Sequence, residues 1–290
     1  MSAVRPRRSV LYMPGSNARA LDKARSLPAD ALILDLEDAV APEAKAEARS
    51  LVVQALQAGG YGERELIVRV NAPGSAWWRD DLAALGRSGV RPDALLFPKI
   101  GSPEHLLAAI DAADSADCDD GIPVWIMAET PQCILQIGQI ACTHPRLAGI
   151  VLGTSDLAKD TRVRHTRERL GFIAALNLCV YAARANELAV IDGVHLDLED
   201  NEGLAFACAQ GRELGFDGKS LIHPRQIEAA NLAFAPDAAE LASSREIIEA
   251  FENASAEGKG VVVVRGRLVE ALHVEEARRT LALAEAIAAR

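Results

Sequence analysis

The chain has no Cys-x-x-Cys pair, and its five cysteines (Cys118, Cys133, Cys142, Cys179 and Cys208) are an odd number. That disfavours a disulfide framework or a structural zinc site and fits a reducing cytoplasm. Gly-x-Gly-x-x-Gly, P-loop and Gly-x-Ser-x-Gly sequences are also missing, which weighs against dinucleotide redox chemistry and a serine hydrolase. Although 50% of the residues are hydrophobic, no apolar run reaches the roughly 18 residues of a membrane span. The basic start, Met1 to Arg8, leads into the short apolar run Val10 to Met13, too brief for the core of a secretory signal. Positive charge is scarce: 31 Lys and Arg stand against 41 Asp and Glu, for a net charge of −10. Without a concentrated basic face, nucleic acid is not the expected partner. The expectation is a soluble cytoplasmic protein, with no membrane partner, that acts on small molecules.

What is present is alternation. Short β-rich apolar runs switch with longer Ala/Leu/Glu/Arg stretches of helical period, the pattern of βα units around a parallel sheet. Eight strands are expected: Ser9 to Met13, Ala31 to Asp35, Leu66 to Val70, Ala94 to Phe97, Val124 to Ala128, Gly149 to Leu152, Ala189 to Asp192 and Gly218 to Ile222. That count in 290 residues favours a closed (β/α)8 TIM barrel over an open sheet. Pro236 and Asp237 break the rhythm. Residues 1–235 are therefore expected to form the barrel, and residues 236–290 a C-terminal lid or oligomerisation appendage: a helix over Ala239 to Phe251, a strand over Val261 to Val264 and a last helix over Glu275 to Ala288.

Several expected strands end in residues that a core would not choose: Asp35, Arg69 and Asn71, Lys99, Glu129, Asp156, Asp192 and His223. In a (β/α)8 barrel the strand C-termini carry the active site. Glu129 and Asp156 follow consecutive strands, and two carboxylates match the one or two that Mg2+ takes from a protein. The competing expectation is helix capping, by Asp156 and by Thr130 before Pro131. Arg69 offers a guanidinium fork for a carboxylate or enolate oxygen, or for an internal ion pair with Asp35-Leu36-Glu37-Asp38. Glu37 and Asp38 also read simply as helix-start acids. Lys99 could form a Schiff base, but electrostatic duty is preferred, and His223 before Pro224 reads first as a structural hydrogen-bonding residue.

The segments Arg8-Ser9-Val10-Leu11-Tyr12-Met13-Pro14-Gly15, Asp35-Leu36-Glu37-Asp38-Ala39-Val40, Arg69-Val70-Asn71, Pro98-Lys99, Ala128-Glu129-Thr130, Gly153-Thr154-Ser155-Asp156-Leu157 and Gly215-Phe216-Asp217-Gly218-Lys219 with Ile222-His223-Pro224-Arg225-Gln226 occur in this order. Together they resemble the citrate lyase β-subunit-like branch of the HpcH/HpaI aldolase superfamily, which includes malyl-CoA and β-methylmalyl-CoA lyases. The resemblance implies a homotrimer or hexamer with Mg2+ on Glu129 and Asp156, and Arg69 as the catalytic contact to the substrate oxyanion. Asp35, Glu129 and Lys99 become substrate-contact candidates, and Tyr12 and Lys23 become CoA-contact candidates. The chain departs from the resemblance at Asn17, where some malyl-CoA lyases carry a basic residue. It departs again at Glu270, where members often place an Asp that reaches a neighbouring subunit's site. The expected reaction is reversible Claisen or retro-aldol cleavage of a malyl-CoA or citramalyl-CoA type substrate to an acyl-CoA and a 2-oxo acid, with Glu270 moving the proton. Rival expectations are a CoA-independent 2-oxo acid aldolase, a malyl-CoA type thioesterase and a carrier-bound citrate lyase β subunit.

Overall fold

The computed structural model describes residues 4–290. It divides into two compact units, Arg7–Ala233 and Phe234–Arg290, the latter together with residues 4–6.

In the larger unit eight parallel strands close into a barrel in sequence order: β1 (Ser9–Pro14), β2 (Ala31–Asp35), β3 (Glu65–Arg69), β4 (Ala94–Phe97), β5 (Val124–Ala128), β6 (Leu147–Leu152), β7 (Ala189–Asp192) and β8 (Gly218–Leu221). The helices of this unit are α1 (Ala18–Lys23), α2 (Lys45–Ala58), α3 (Trp78–Ser88), α4 (Pro103–Asp114), α5 (Pro131–Ala141), α6 (Thr154–Thr161), α7 (Ile173–Ala185), α8 (Asn201–Leu214) and α9 (Ile227–Ala233). This is a (β/α)8 TIM barrel. All strands begin and end within two residues of their expected bounds.

Every second strand residue shares a face, and one such set, including Val10, Ile33, Ile67, Leu96, Trp125, Met127, Val151 and Ile191, forms a buried cluster. Trp125 fills its part of that cluster because β6 presents Gly149 opposite it: a Cβ there would lie 2.3 Å from the indole. Continuing the alternation from Ile33, Ile67 and Met127 brings Asp35, Arg69 and Glu129 to the same face at the strand ends. Strand register reinforces this, since Asp35 pairs with Arg69 directly across β2 and β3.

The smaller unit contains α10 (Ala238–Ala256), an antiparallel pair β9 (Val262–Val264) and β10 (Arg267–Val269), and α11 (Ala271–Ala288). Val264, Val269 and Val274 form its buried cluster, with Ile247, Ile248 and Phe251 packed against it. Its helices are longer than the expected ones, and β10 lies where no strand was expected. Arg265 and Gly266, both at positive φ (47° and 79°), make the two-residue hairpin turn. Among the described residues no helix is long and apolar enough to cross a membrane, and all five cysteines are free.

Candidate active site

The strand-end polar residues fall into two groups. Asn71, Asp192 and His223 serve the scaffold. Asn71 donates from its backbone and side-chain nitrogens to Asp81 (2.9 and 2.7 Å), and Asp192 is buried between Arg169 and Lys219 (2.7 and 2.9 Å). Burial alone would raise the Asp192 carboxyl, but those two cations outweigh it and hold it below the usual carboxylate range. His223 caps a short 3-10 turn, its ring accepting from the Arg225 N–H, which is the structural role expected of it.

Asp35, Arg69, Lys99, Glu129 and Asp156 converge with Glu37. Arg69 donates from Nε to Asp35 Oδ1 and from Nη2 to Oδ2, both at 2.7 Å. The Asp35 oxygens also accept from the Glu37 and Ala39 N–H groups (2.9 and 3.1 Å). With both oxygens engaged and the residue 0% exposed, Asp35 holds Arg69 in place. Arg69 Nη1 is 2.9 Å from Glu37 Oε2. That contact is close enough for charge attraction but too poorly aligned for a hydrogen bond, and Oε2 remains without a donor. Below the fork the Arg69 guanidinium carbon lies 4.8 Å from the centre of the Tyr12 ring, and the Tyr12 hydroxyl donates to Met127 Sδ at 3.3 Å.

Glu37 is the residue that sequence reading undervalued. It is buried, and burial pushes its carboxyl up to about 8, with Glu129 and Asp38 adding to the shift against Arg69. Its signal was available: Glu37 stands two residues beyond Asp35, a spacing that repeats a strand face if the chain stays extended. Lys45 carried no such signal, yet its buried Nζ donates to the Leu36 and Glu37 carbonyls (2.8 and 2.7 Å) and fixes the loop after β2.

On the opposite side Glu129 and Asp156 approach the Lys99 ammonium, which lies 3.4 Å from Glu129 Oε1 and hydrogen-bonds to Asp156 Oδ2. Burial would lower the Lys99 ammonium, but Glu129, Asp156 and Glu37 outweigh it and keep the lysine above its ordinary value, hence charged. Burial raises the Glu129 carboxyl despite Lys99 and Arg69. Gly153 makes room for Glu129, since a Cβ there would lie 2.4 Å from Glu129 Cβ and 2.7 Å from Oε2. Thr130 caps α5 as expected, accepting from the Cys133 N–H, whereas Asp156 lies inside the first turn of α6 and is not its cap.

Two carboxylates directed at one cationic group are a donor set suited to a hard divalent ion. Among the described residues no three His, Cys, Asp or Glu side chains cluster for a metal, so the remaining positions would fall to water and substrate. A cavity of about 360 Å3 opens over this group, lined among others by Tyr12, Arg69, Glu129, Ser155, Asp156 and Ile222. The start of α6, with Gly153 as a cap that lacks a side chain, contributes uncapped N–H groups there. Lys23 is exposed in the last turn of α1, and Glu270 belongs to the smaller unit, where it precedes α11 and its N–H donates to His273 Nδ1 at 3.1 Å.

Comparison with known proteins places residues 8–224 in a match to the family model for HpcH/HpaI aldolase/citrate lyase. A (3S)-malyl-CoA thioesterase of Cereibacter sphaeroides is 49% identical over 284 residues, covering 98% of this chain and 96% of that protein. The citrate lyase subunit beta of Escherichia coli is 36% identical over 286 residues, covering 97% and 94%. Among solved structures, protein CitE from Mycobacterium tuberculosis in complex with magnesium, acetoacetate and coenzyme A superposes with a TM-score of 0.79 at 27% identity, covering 98% of this chain and 100% of that one.

Proposed function

Because this chain belongs to the HpcH/HpaI aldolase/citrate lyase family, we propose that it is a magnesium-dependent enzyme that hydrolyses a malyl-CoA type thioester to the free hydroxy acid and CoA. The observation that carries this reading is the higher identity, over nearly the whole chain, to a malyl-CoA thioesterase (49%) than to a citrate lyase subunit (36%). It moves the emphasis from carbon-carbon cleavage, the reaction first expected from the motifs, to one of its rivals.

Glu129 and Asp156 would hold the Mg2+, which when bound supplies Lewis acidity and a template for the hydroxy-acid end of the substrate. Asp35 and the Tyr12 ring fix the plane of Arg69, so its Nη1 edge is presented without rotational freedom. A guanidinium fixed in this way stabilises negative charge developing on the thioester oxygen, and one such donor is commonly worth about 3 kcal/mol. Glu37 has an oxygen that lacks a donor, and in its ionised form, reached as pH approaches about 8, it is suited to take the proton of the attacking water. The water oxygen bonds to the carbonyl carbon, the C–S bond breaks, and the thiolate leaves and is protonated to give CoA. The uncapped N–H groups of α6 suit the substrate's carboxylate.

A second reading is favoured by the aldolase and citrate lyase relatives. Arg69 can instead stabilise the thioester enolate of carbon-carbon cleavage, with a 2-oxo acid and an acyl-CoA as products, Glu270 as a proton carrier, and Glu129 and Asp156 as the residues that would hold the metal in this reading too. A homotrimer or hexamer, cytoplasmic residence and CoA contacts at Tyr12 and Lys23 belong to this proposal as well. The test is product analysis after incubating the protein and Mg2+ with malyl-CoA. Malate and free CoA support hydrolysis, glyoxylate and acetyl-CoA support the lyase, and an unchanged substrate counts against both.

A further inference from the structure

The point where Glu129 and Asp156 converge is taken by a side chain of the same chain. Lys99 reaches it with its ammonium, 3.4 Å from Glu129 Oε1 and hydrogen-bonded to Asp156 Oδ2. Its backbone N–H donates to the same Glu129 oxygen at 2.7 Å. Lys99 does this from φ +56°, a left-handed conformation that residues other than glycine adopt only rarely. The residue therefore holds Glu129 twice, once from its main chain and once from its charge. Its side chain is 32% exposed, against 1% for Glu129. The ammonium consequently has a route to solvent that the carboxylate lacks, and its four-carbon stem can rotate to follow it. The other cations near the pair are differently placed. Arg69 is committed to Asp35 and Glu37, and Lys159 reaches Asp156 only at 4.0 Å from an exposed position.

We infer that Lys99 is a tethered counter-ion of the metal site: its ammonium neutralises and orders Glu129 and Asp156 before a divalent cation arrives, and must withdraw when one binds. The inference rests on the magnesium assignment made above. Both cations draw on the same carboxylate oxygens, so the lysine weakens metal affinity while it stabilises the metal-free fold. Without it two carboxylates would face each other with only water between, which is unfavourable in a partly buried site. The arrangement makes the metal exchangeable, since a departing ion is replaced by a group that is already attached.

The test is Lys99→Met, which keeps the stem and the backbone N–H and removes the charge. Mg2+ is titrated calorimetrically into metal-free wild type and variant, and both are melted in EDTA and in saturating Mg2+. The variant should bind Mg2+ about tenfold more tightly or better, melt below wild type in EDTA and recover in Mg2+. Lys99→Arg, which keeps a cation, should bind no more tightly than wild type. Equal or weaker Mg2+ affinity in folded Lys99→Met overturns the inference but leaves the metal site standing, whereas no Mg2+ binding by wild type overturns the metal assignment itself. If Lys99→Met folds only with Mg2+ present, the counter-ion role is supported. If it does not fold even then, the same titration on Lys99→Gln decides by the same criterion.

Discussion

Arg69 and Asp35 face each other across paired strands in a two-bond fork, Nε to Oδ1 and Nη2 to Oδ2, each 2.7 Å long. The pair is out of water, so each member depends on the other. Removing one charge from a buried pair typically costs about 3–5 kcal/mol. Asp35→Asn should therefore lower stability by about that amount and lower kcat as Arg69 loses its alignment, as read by chemical denaturation and thioester turnover. A stable, fully active variant would remove Asp35 from its positioning role.

Arg69→Lys tests the geometry of the fork separately from its charge. An ammonium keeps the charge but cannot bridge both oxygens of Asp35 while approaching Glu37. Activity should fall by ~10²–10³-fold while circular dichroism shows the barrel intact. Normal turnover would make Arg69 purely structural.

Metal dependence follows from the convergence of Glu129 and Asp156. EDTA should abolish turnover, and Mg2+ or Mn2+ should restore it. Glu129→Gln and Asp156→Asn should each weaken Mg2+ binding by about tenfold or more, measured by calorimetry. Full activity in chelator would exclude the metal reading.

The pH dependence of the metal-free protein should carry the signature of Glu37. Burial pushes its carboxyl from 4.5 to about 8, so the folded state favours the protonated form. The associated stability is complete below about pH 4.5 and is lost as pH rises toward about 8. In EDTA, melting temperature should fall across this interval more steeply for wild type than for Glu37→Gln. Parallel profiles would show that Glu37 does not titrate there.

Glu270 provides the last test. If it carries a proton for a neighbouring copy's site, inactive Arg69→Ala and inactive Glu270→Ala proteins, unfolded and reassembled together, should regain a fraction of wild-type turnover. No recovery in demonstrably mixed oligomers rules out a shared site, and an active Glu270→Ala protein removes the residue from the mechanism.

The order of strands and helices and the ends of the strands were legible in the sequence, because each strand is an apolar run with its own turn signals and its alternation places residues two apart on one face. Arg69 and Glu129 were legible as polar strand-end residues on one face for the same reason. Three-residue β10 was not, since so short a strand carries almost no periodic signal and its hairpin depends on Arg265 adopting a conformation more typical of glycine. Sequence alone also could not separate Asp192 from Asp35 and Glu129, because all three end strands and differ only in which distant side chain meets them. That choice is made when the barrel closes. Register sets Asp35 opposite Arg69, and packing buries Glu37 against it, where its carboxyl gives up its charge most of the way to pH 8. The missing side chain of Gly153 leaves Glu129 room, and the backbone turn at Lys99 carries an ammonium to the two carboxylates. These are relationships between residues tens of positions apart, and only the closed tertiary structure brings them within a few ångströms.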